Sequence, residues 1–133
     1  MRKSVWVIDD DQIYQMIIKK LIKRSEVFGE QAYYKCTHQV FEDLENSRVF
    51  LPDVILLDIN MPFMDGWQFI QKLKSLYPDH IQRTEIYIVS SSIAYSDKER
   101  AESIPEICSF LSKPVSVETL KKIGEHIKEK NPV

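Results

Sequence analysis

Five short apolar runs alternate with five stretches of helical character, and that alternation limits the fold of this chain more than any other feature. Four runs read as strands, Ser4 to Ile8, Val54 to Leu57, Glu85 to Val89 and Cys108 to Leu111, and Ala32 to Thr37 reads as a weaker fifth. Between them apolar residues recur at helical spacing: Ile13, Ile17 and Leu21 with Ile18 and Ile22, then Val40, Phe41 and Leu44, then Phe69, Ile70, Leu73 and Leu76. Leu120, Ile123 and Ile127 mark a last helix. The segment before the final strand is mostly polar, but Ser96 followed by Glu99 has the form of a capping box, which places a helix from about Asp97 to Ile104, ended by Pro105. A strand that is followed each time by a helix returns to the sheet in parallel, with right-handed crossovers. The expected fold is therefore α/β, a five-stranded parallel sheet with helices on both faces.

Size and charge narrow the class. The chain has 133 residues, of which 44% are hydrophobic and 29% charged, enough for one domain spanning 1–133 with no output domain and no staple of disulfides or metal. Eighteen Lys plus Arg against twenty Asp plus Glu leave a net charge of −2, which argues against a nucleic-acid partner. The longest apolar runs are far shorter than the roughly 20 residues of a membrane span, and the acidic run from Asp9 interrupts any signal peptide. Cys36 and Cys108 lack metal-ligand spacing and read as small core residues of a protein in a reducing cytoplasm.

Polar residues at strand ends carry the functional reading, because open parallel sheets bind ligands beyond the carboxyl ends of their strands. Asp9 and Asp10 follow the first strand, Asp58 the third, Ser90 the fourth and Lys113 the fifth. In the strand order 2-1-3-4-5 of flavodoxin-like folds, the first and third strands flank the switch point, so the three aspartates share a crevice. Carboxylates that close repel one another, and a hard divalent cation such as Mg²⁺ resolves the conflict using one or two of them plus a phosphate oxygen. The carboxylate left over is a nucleophile for phosphorus, with Lys113 as charge partner and Ser90 as hydroxyl donor. The chain has only three glycines and neither a P-loop nor a dinucleotide fingerprint, so phosphate must be held by side chains and metal.

These residues resemble the receiver domain of two-component response regulators, over essentially the whole chain. The matching motifs are Asp9-Asp10, the stretch Leu57-Asp58-Ile59-Asn60-Met61-Pro62-Phe63-Met64-Asp65-Gly66, Ser90, and Lys113-Pro114. The resemblance implies a stand-alone, chemotaxis-regulator-like switch whose Asp58 is phosphorylated by a histidine kinase or histidine phosphotransfer protein, and which catalyses only its own phosphorylation and dephosphorylation. It further implies Mg²⁺ on Asp10, Asp58 and the backbone carbonyl of Asn60, with Asp9 acting through water, and a cis Lys113-Pro114 bond. Ser90 and Phe110 would be the switch pair, acting on an unknown downstream protein through the fourth helix, fifth strand and fifth helix. A monomer or a weak phosphorylation-dependent dimer is expected. The family's small turn before the last strand is replaced by Ser103-Ile104-Pro105-Glu106-Ile107, and the loop Tyr77 to Glu85 is long.

Taken singly, each signal has a plainer meaning. Asp10 and Asp11 suffice as helix caps, Asp65-Gly66 as a turn, Ser90 to Ser92 as a polar loop, and Lys113 as a solvated lysine. Lys19, Lys20, Lys23 and Arg24 read as a solvated helix face, His38, His80 and His126 as surface residues, and Trp67 as packing. Two other functions compete. An aspartyl phosphatase of the haloacid dehalogenase type needs a second acid two positions after the nucleophile, where Asn60 stands, and a pseudo-receiver would lack part of an acidic set that is complete here.

Overall fold

The computed structural model describes residues 2–91 and 94–126. Ile127, assigned by periodicity to the last helix, and Ser92 of the polar loop lie outside them. Five strands, β1 (Lys3–Ile8), β2 (Phe28–Tyr34), β3 (Val54–Leu57), β4 (Glu85–Ser90) and β5 (Ile107–Ser112), form one parallel sheet in the order β2-β1-β3-β4-β5. The helices α1 (Gln12–Ser25), α2 (Thr37–Glu45), α3 (Gly66–Leu76), α4 (Tyr95–Glu102) and α5 (Val117–Glu125) connect or follow them.

Side chains alternate across each strand, which divides the core in two. Val5, Val7, Val54, Leu56, Tyr87 and Val89 pack with Ile18, Ile22, Leu120 and Ile123 of α1 and α5. Trp6, Ile8, Ile55, Leu57, Ile86 and Ile88 pack on the other face with Val40, Phe69, Leu73 and Ala101 of α2, α3 and α4. The central strand β3 is buried at all four positions, so it reads as a continuous apolar run. The long loop after α3 is partly ordered by a 3₁₀ turn, Ile81–Arg83, with Ile81 buried.

Several local expectations are corrected. β2 runs over Phe28–Tyr34 rather than Ala32 to Thr37, because its register with β1 ends at Ile8 opposite Tyr34 and the chain then turns into α2. In its first half only Phe28 is buried, and Gly29 and Glu30 are exposed, so no apolar run marks it. α4 begins at Tyr95 with Ala94 at its N-cap, so Ser96 falls inside the first turn and makes no cap. The helix stops at Glu102, where the Ser103 hydroxyl donates to the Arg100 carbonyl, and Pro105 disfavours helical backbone at Ile104. Only part of the apolar stripe of α1 is core: Tyr14, Ile18 and Ile22 are buried, whereas Ile13, Met16 and Ile17 face solvent. Cys36 and Cys108 are exposed, one at the N-cap of α2 and the other on the edge strand β5. No helix among the described residues is long and apolar enough to cross a membrane.

Candidate functional site

Sheet register decides which polar residues meet. Ile8 lies opposite Leu57, so Asp9 and Asp58 leave the sheet at the same level on adjacent strands. Ladder bonds continue one step past the strands and pin three of the residues. The Asp9 amide donates to the Tyr34 carbonyl at 3.0 Å, the Asp58 amide to the Ile8 carbonyl at 3.0 Å, and the Lys113 amide to the Ser90 carbonyl at 2.9 Å.

The acidic run after β1 divides its labour. The Asp11 carboxylate caps α1, accepting from the amides of Ile13 at 2.9 Å and Tyr14 at 3.1 Å. Asp9 is buried and Asp10 exposed, and one carboxylate oxygen from each of Asp9, Asp10 and Asp58 lies within 4.8 Å of the other two. A second loop is shaped by Gly66: a Cβ there would stand 2.8 Å from the Asp58 carbonyl and 3.0 Å from the Ile59 Cα. Only glycine admits so close an approach of backbone to backbone. Asp65 then caps α3 through a capping box with Gln68.

Lys113 reaches this cluster from β5, its Nζ 2.6 Å from Asp9 Oδ2 and 3.8 Å from Asp58 Oδ2. The Asn60 amide donates to Asp58 Oδ1 at 3.3 Å. Burial, and next the Asp9 charge, push the Asp58 carboxyl above its usual range, with Lys113 and the Asn60 amide pulling it down and Asp10 raising it again. Three carboxylates thus face one ammonium, and every prospective donor in the cluster is an oxygen. That set suits a hard divalent cation such as Mg²⁺.

Of the remaining sequence-selected residues, Ser90 is buried at the end of β4 and Phe110 is half-buried on β5, packed against the α2–α3–α4 core. The Lys113-Pro114 bond is cis. Asn60 is exposed beside Asp58. Trp67 is a core residue, with the Arg100 guanidinium 4.8 Å above its ring.

Two residues of the site escape sequence reasoning. Gln15, buried in α1, donates through Nε2 to the carbonyls of Asp9 and Tyr34, both at 2.9 Å, and so joins α1 to β1 and β2 beneath the crevice. Tyr14 lies under Lys113, whose Nζ is 4.3 Å from the ring centroid. Both sit within six residues of Asp9 on the inward face of α1, but inside a run of helical periodicity they look like ordinary spacers.

The family model described as Response regulator receiver domain matches residues 5–125. The probable methanogenesis regulatory protein FilR2 of Methanothrix harundinacea is 26% identical over 128 residues, covering 94% of this chain and 81% of that protein. The polar-differentiation response regulator DivK of Brucella anthropi is 29% identical over 125 residues, covering 91% of this chain and 95% of that one. A crystal structure of a two-component response regulator from Cytophaga hutchinsonii superimposes with a TM-score of 0.85 at 25% identity, over 92% of this chain and 95% of its own.

Proposed function

Because the chain belongs to the response regulator receiver domain family, we propose that Asp58 accepts a phosphoryl group from a phosphohistidine donor and that the resulting charge switches a protein-binding surface. The observation that carries this reading is the meeting of Asp9, Asp10 and Asp58 oxygens within 4.8 Å, with the Lys113 ammonium 3.8 Å from Asp58. An Asp58 oxygen attacks phosphorus, an O–P bond forms, and the P–N bond breaks with its electron pair returning to the imidazole of the donor. Hydrolysis reverses the state when water attacks the same phosphorus and the carboxylate leaves.

Asp10, Asp58 and the Asn60 backbone carbonyl would hold Mg²⁺, with Asp9 acting through water. When bound, the ion supplies positive charge against the oxygens of the phosphoryl group in transfer. Lys113 pairs with one of those oxygens and Ser90 donates a hydrogen bond to another. The shift of Ser90 opens room behind it for Phe110, which has no phenol hydroxyl and so acts through packing alone. The lone acid lost at Asn60 weighs against a phosphatase that turns over a separate substrate. Ile13, Met16 and Ile17, exposed on the first turns of α1 near Asp10, together with the fully exposed Phe63, suit an apolar donor surface laid over the crevice. A histidine kinase or histidine phosphotransfer protein is the donor of that chemistry.

Intact mass measured after incubation with acetyl phosphate and Mg²⁺ tests the proposal. The chain should gain one phosphoryl mass and Asp58→Asn none. Labelling of that variant at a serine or histidine, or no gain by the parent chain, overturns it.

A further inference from the structure

We infer that Tyr14 is a positioning residue for Lys113, its ring face holding the ammonium where an incoming phosphoryl group on Asp58 can take it up. The inference rests on the phosphoryl-acceptor reading above, and adds to it a residue that is neither acidic nor at a strand end.

Lys113 carries a flexible four-carbon stem, and its only charge partners within 4 Å among the described residues are Asp9 at 2.6 Å and Asp58 at 3.8 Å. The ammonium rests on Asp9, the nearer and more buried carboxylate, and stays within reach of Asp58. The Tyr14 ring supplies a third contact, 4.3 Å from Nζ to the ring centroid. An aromatic face attracts a cation through its quadrupole and adds no formal charge. In a crevice that already holds three carboxylates this matters, because a fourth would deepen their mutual repulsion. The ring also keeps its attraction when Asp9 is engaged elsewhere.

Tyr14 is itself held in place. It is buried, and its amide is bonded to the Asp11 carboxylate at 3.1 Å, so the cap of α1 fixes the turn that presents the ring. Its hydroxyl is buried beside the Val115 backbone. Burial, and then the Asp9 charge, push the phenol well above its usual range, so it stays neutral. The contact with Lys113 is made by the ring face, and Tyr14→Phe separates that contact from any part the hydroxyl plays.

That distinction sets the experiment. The rate of phosphorylation by acetyl phosphate with Mg²⁺ is followed by intact mass for Tyr14→Leu and Tyr14→Phe, each with Lys113 present and in the Lys113→Gln background. The Lys113 side-chain methylene shifts are read by NMR in the metal-free chain. Tyr14→Leu should slow phosphorylation about three- to tenfold, the range expected of a partly desolvated cation–π contact, and Tyr14→Phe should restore it to within about twofold. In Lys113→Gln the Leu substitution should cost nothing more. The Lys113 methylenes should show an upfield ring-current displacement in the parent chain and in Tyr14→Phe, lost in Tyr14→Leu.

Equal slowing in both backgrounds, or Phe as slow as Leu, would overturn the positioning role and leave a packing residue. Undisplaced methylene shifts in the parent chain would do the same. If the parent chain takes up no phosphoryl group, the acceptor reading fails and the role falls with it. If the parent chain is labelled and Tyr14→Leu is equally fast, the role of Tyr14 alone fails.

Discussion

Asp58 is both the proposed acceptor and a destabilising charge, and the two properties have one cause. Its carboxyl is raised above its unfolded value by burial and by Asp9, so the folded chain binds that proton more tightly than the unfolded one. The associated stability is present at acid pH and is lost as pH rises through the raised value. Metal-free Asp58→Asn should therefore melt a few degrees above the parent chain at neutral pH, the gap closing on acidification and also on addition of Mg²⁺, which binds and stabilises only the parent chain. Calorimetry over a pH series checks this, and a parent chain that melts higher than the variant at neutral pH contradicts it. Gly66 offers a second test, because a Cβ there meets the backbone of Asp58 and Ile59, which no rotamer change can relieve. Gly66→Ala should cost about 1–3 kcal/mol, as overpacking does, and slow phosphorylation by displacing the loop; unfolding by urea and the mass assay measure the two effects. The strand-end residues were legible in the sequence because each ends an apolar run. Tyr14 and Gln15 were not, since their roles depend on which strand end α1 folds back upon.

At the scale of elements, periodicity located β1, β3, β4 and β5 and misplaced only the edge strand β2, and the reason is burial. β3 is apolar throughout because helices cover both its faces, whereas β2 exposes Gly29 and Glu30 and only half-buries Gln31 to Tyr33. Right-handed crossovers left few sheet orders, and the one borrowed from flavodoxin-like folds is the one observed. α4 was harder because its sequence is polar, and the structure explains why it can be. Among its described side chains the helix buries Ala101 and lays Arg100 over Trp67, and a groove of about 350 Å³ is lined by Lys98, Ala101 and Glu102 on one side and Ile107 to Phe110 of β5 on the other. So thin an anchorage predicts that α4 opens locally more easily than α1 or α3. Hydrogen exchange should find its amides the fastest among the five helices, and phosphorylation should raise their protection, since Ser90 immediately precedes that connection. Changes confined to α1 would instead fit a chain read only by a phosphotransfer partner.

Across the whole molecule, the two ends of the sheet are built for different purposes. Charges at the carboxyl end crowd with the same sign, whereas at the amino end Glu85 is buried and fully answered. Lys3 Nζ lies 2.9 Å from Glu85 Oε1, the Tyr87 hydroxyl donates to Oε2 at 3.0 Å, and His126 Nδ1 is 3.2 Å from Oε1. The same ammonium donates to the carbonyls of Ile123 and His126, so it also closes the C-terminus of α5 against β1 and β4. Removing one partner of a buried pair leaves the other charge uncompensated, at a cost of about 3–5 kcal/mol. Because Lys3 is partly exposed, Lys3→Met should lose somewhat less, about 2–3 kcal/mol. It should also leave the initial rate of Asp58 phosphorylation unchanged, since a full strand length of core separates Lys3 from Asp9. Lys113→Met should slow phosphorylation strongly and also cost stability, because it leaves the buried Asp9 without its cation, while the amino end stays as it is. Urea unfolding and the mass assay, run on both variants, compare the two losses directly. A rate deficit in Lys3→Met at temperatures where it is fully folded would mean that the α5 terminus and the acidic crevice are coupled, and that the division of the sheet into a stabilising end and a reactive end is wrong.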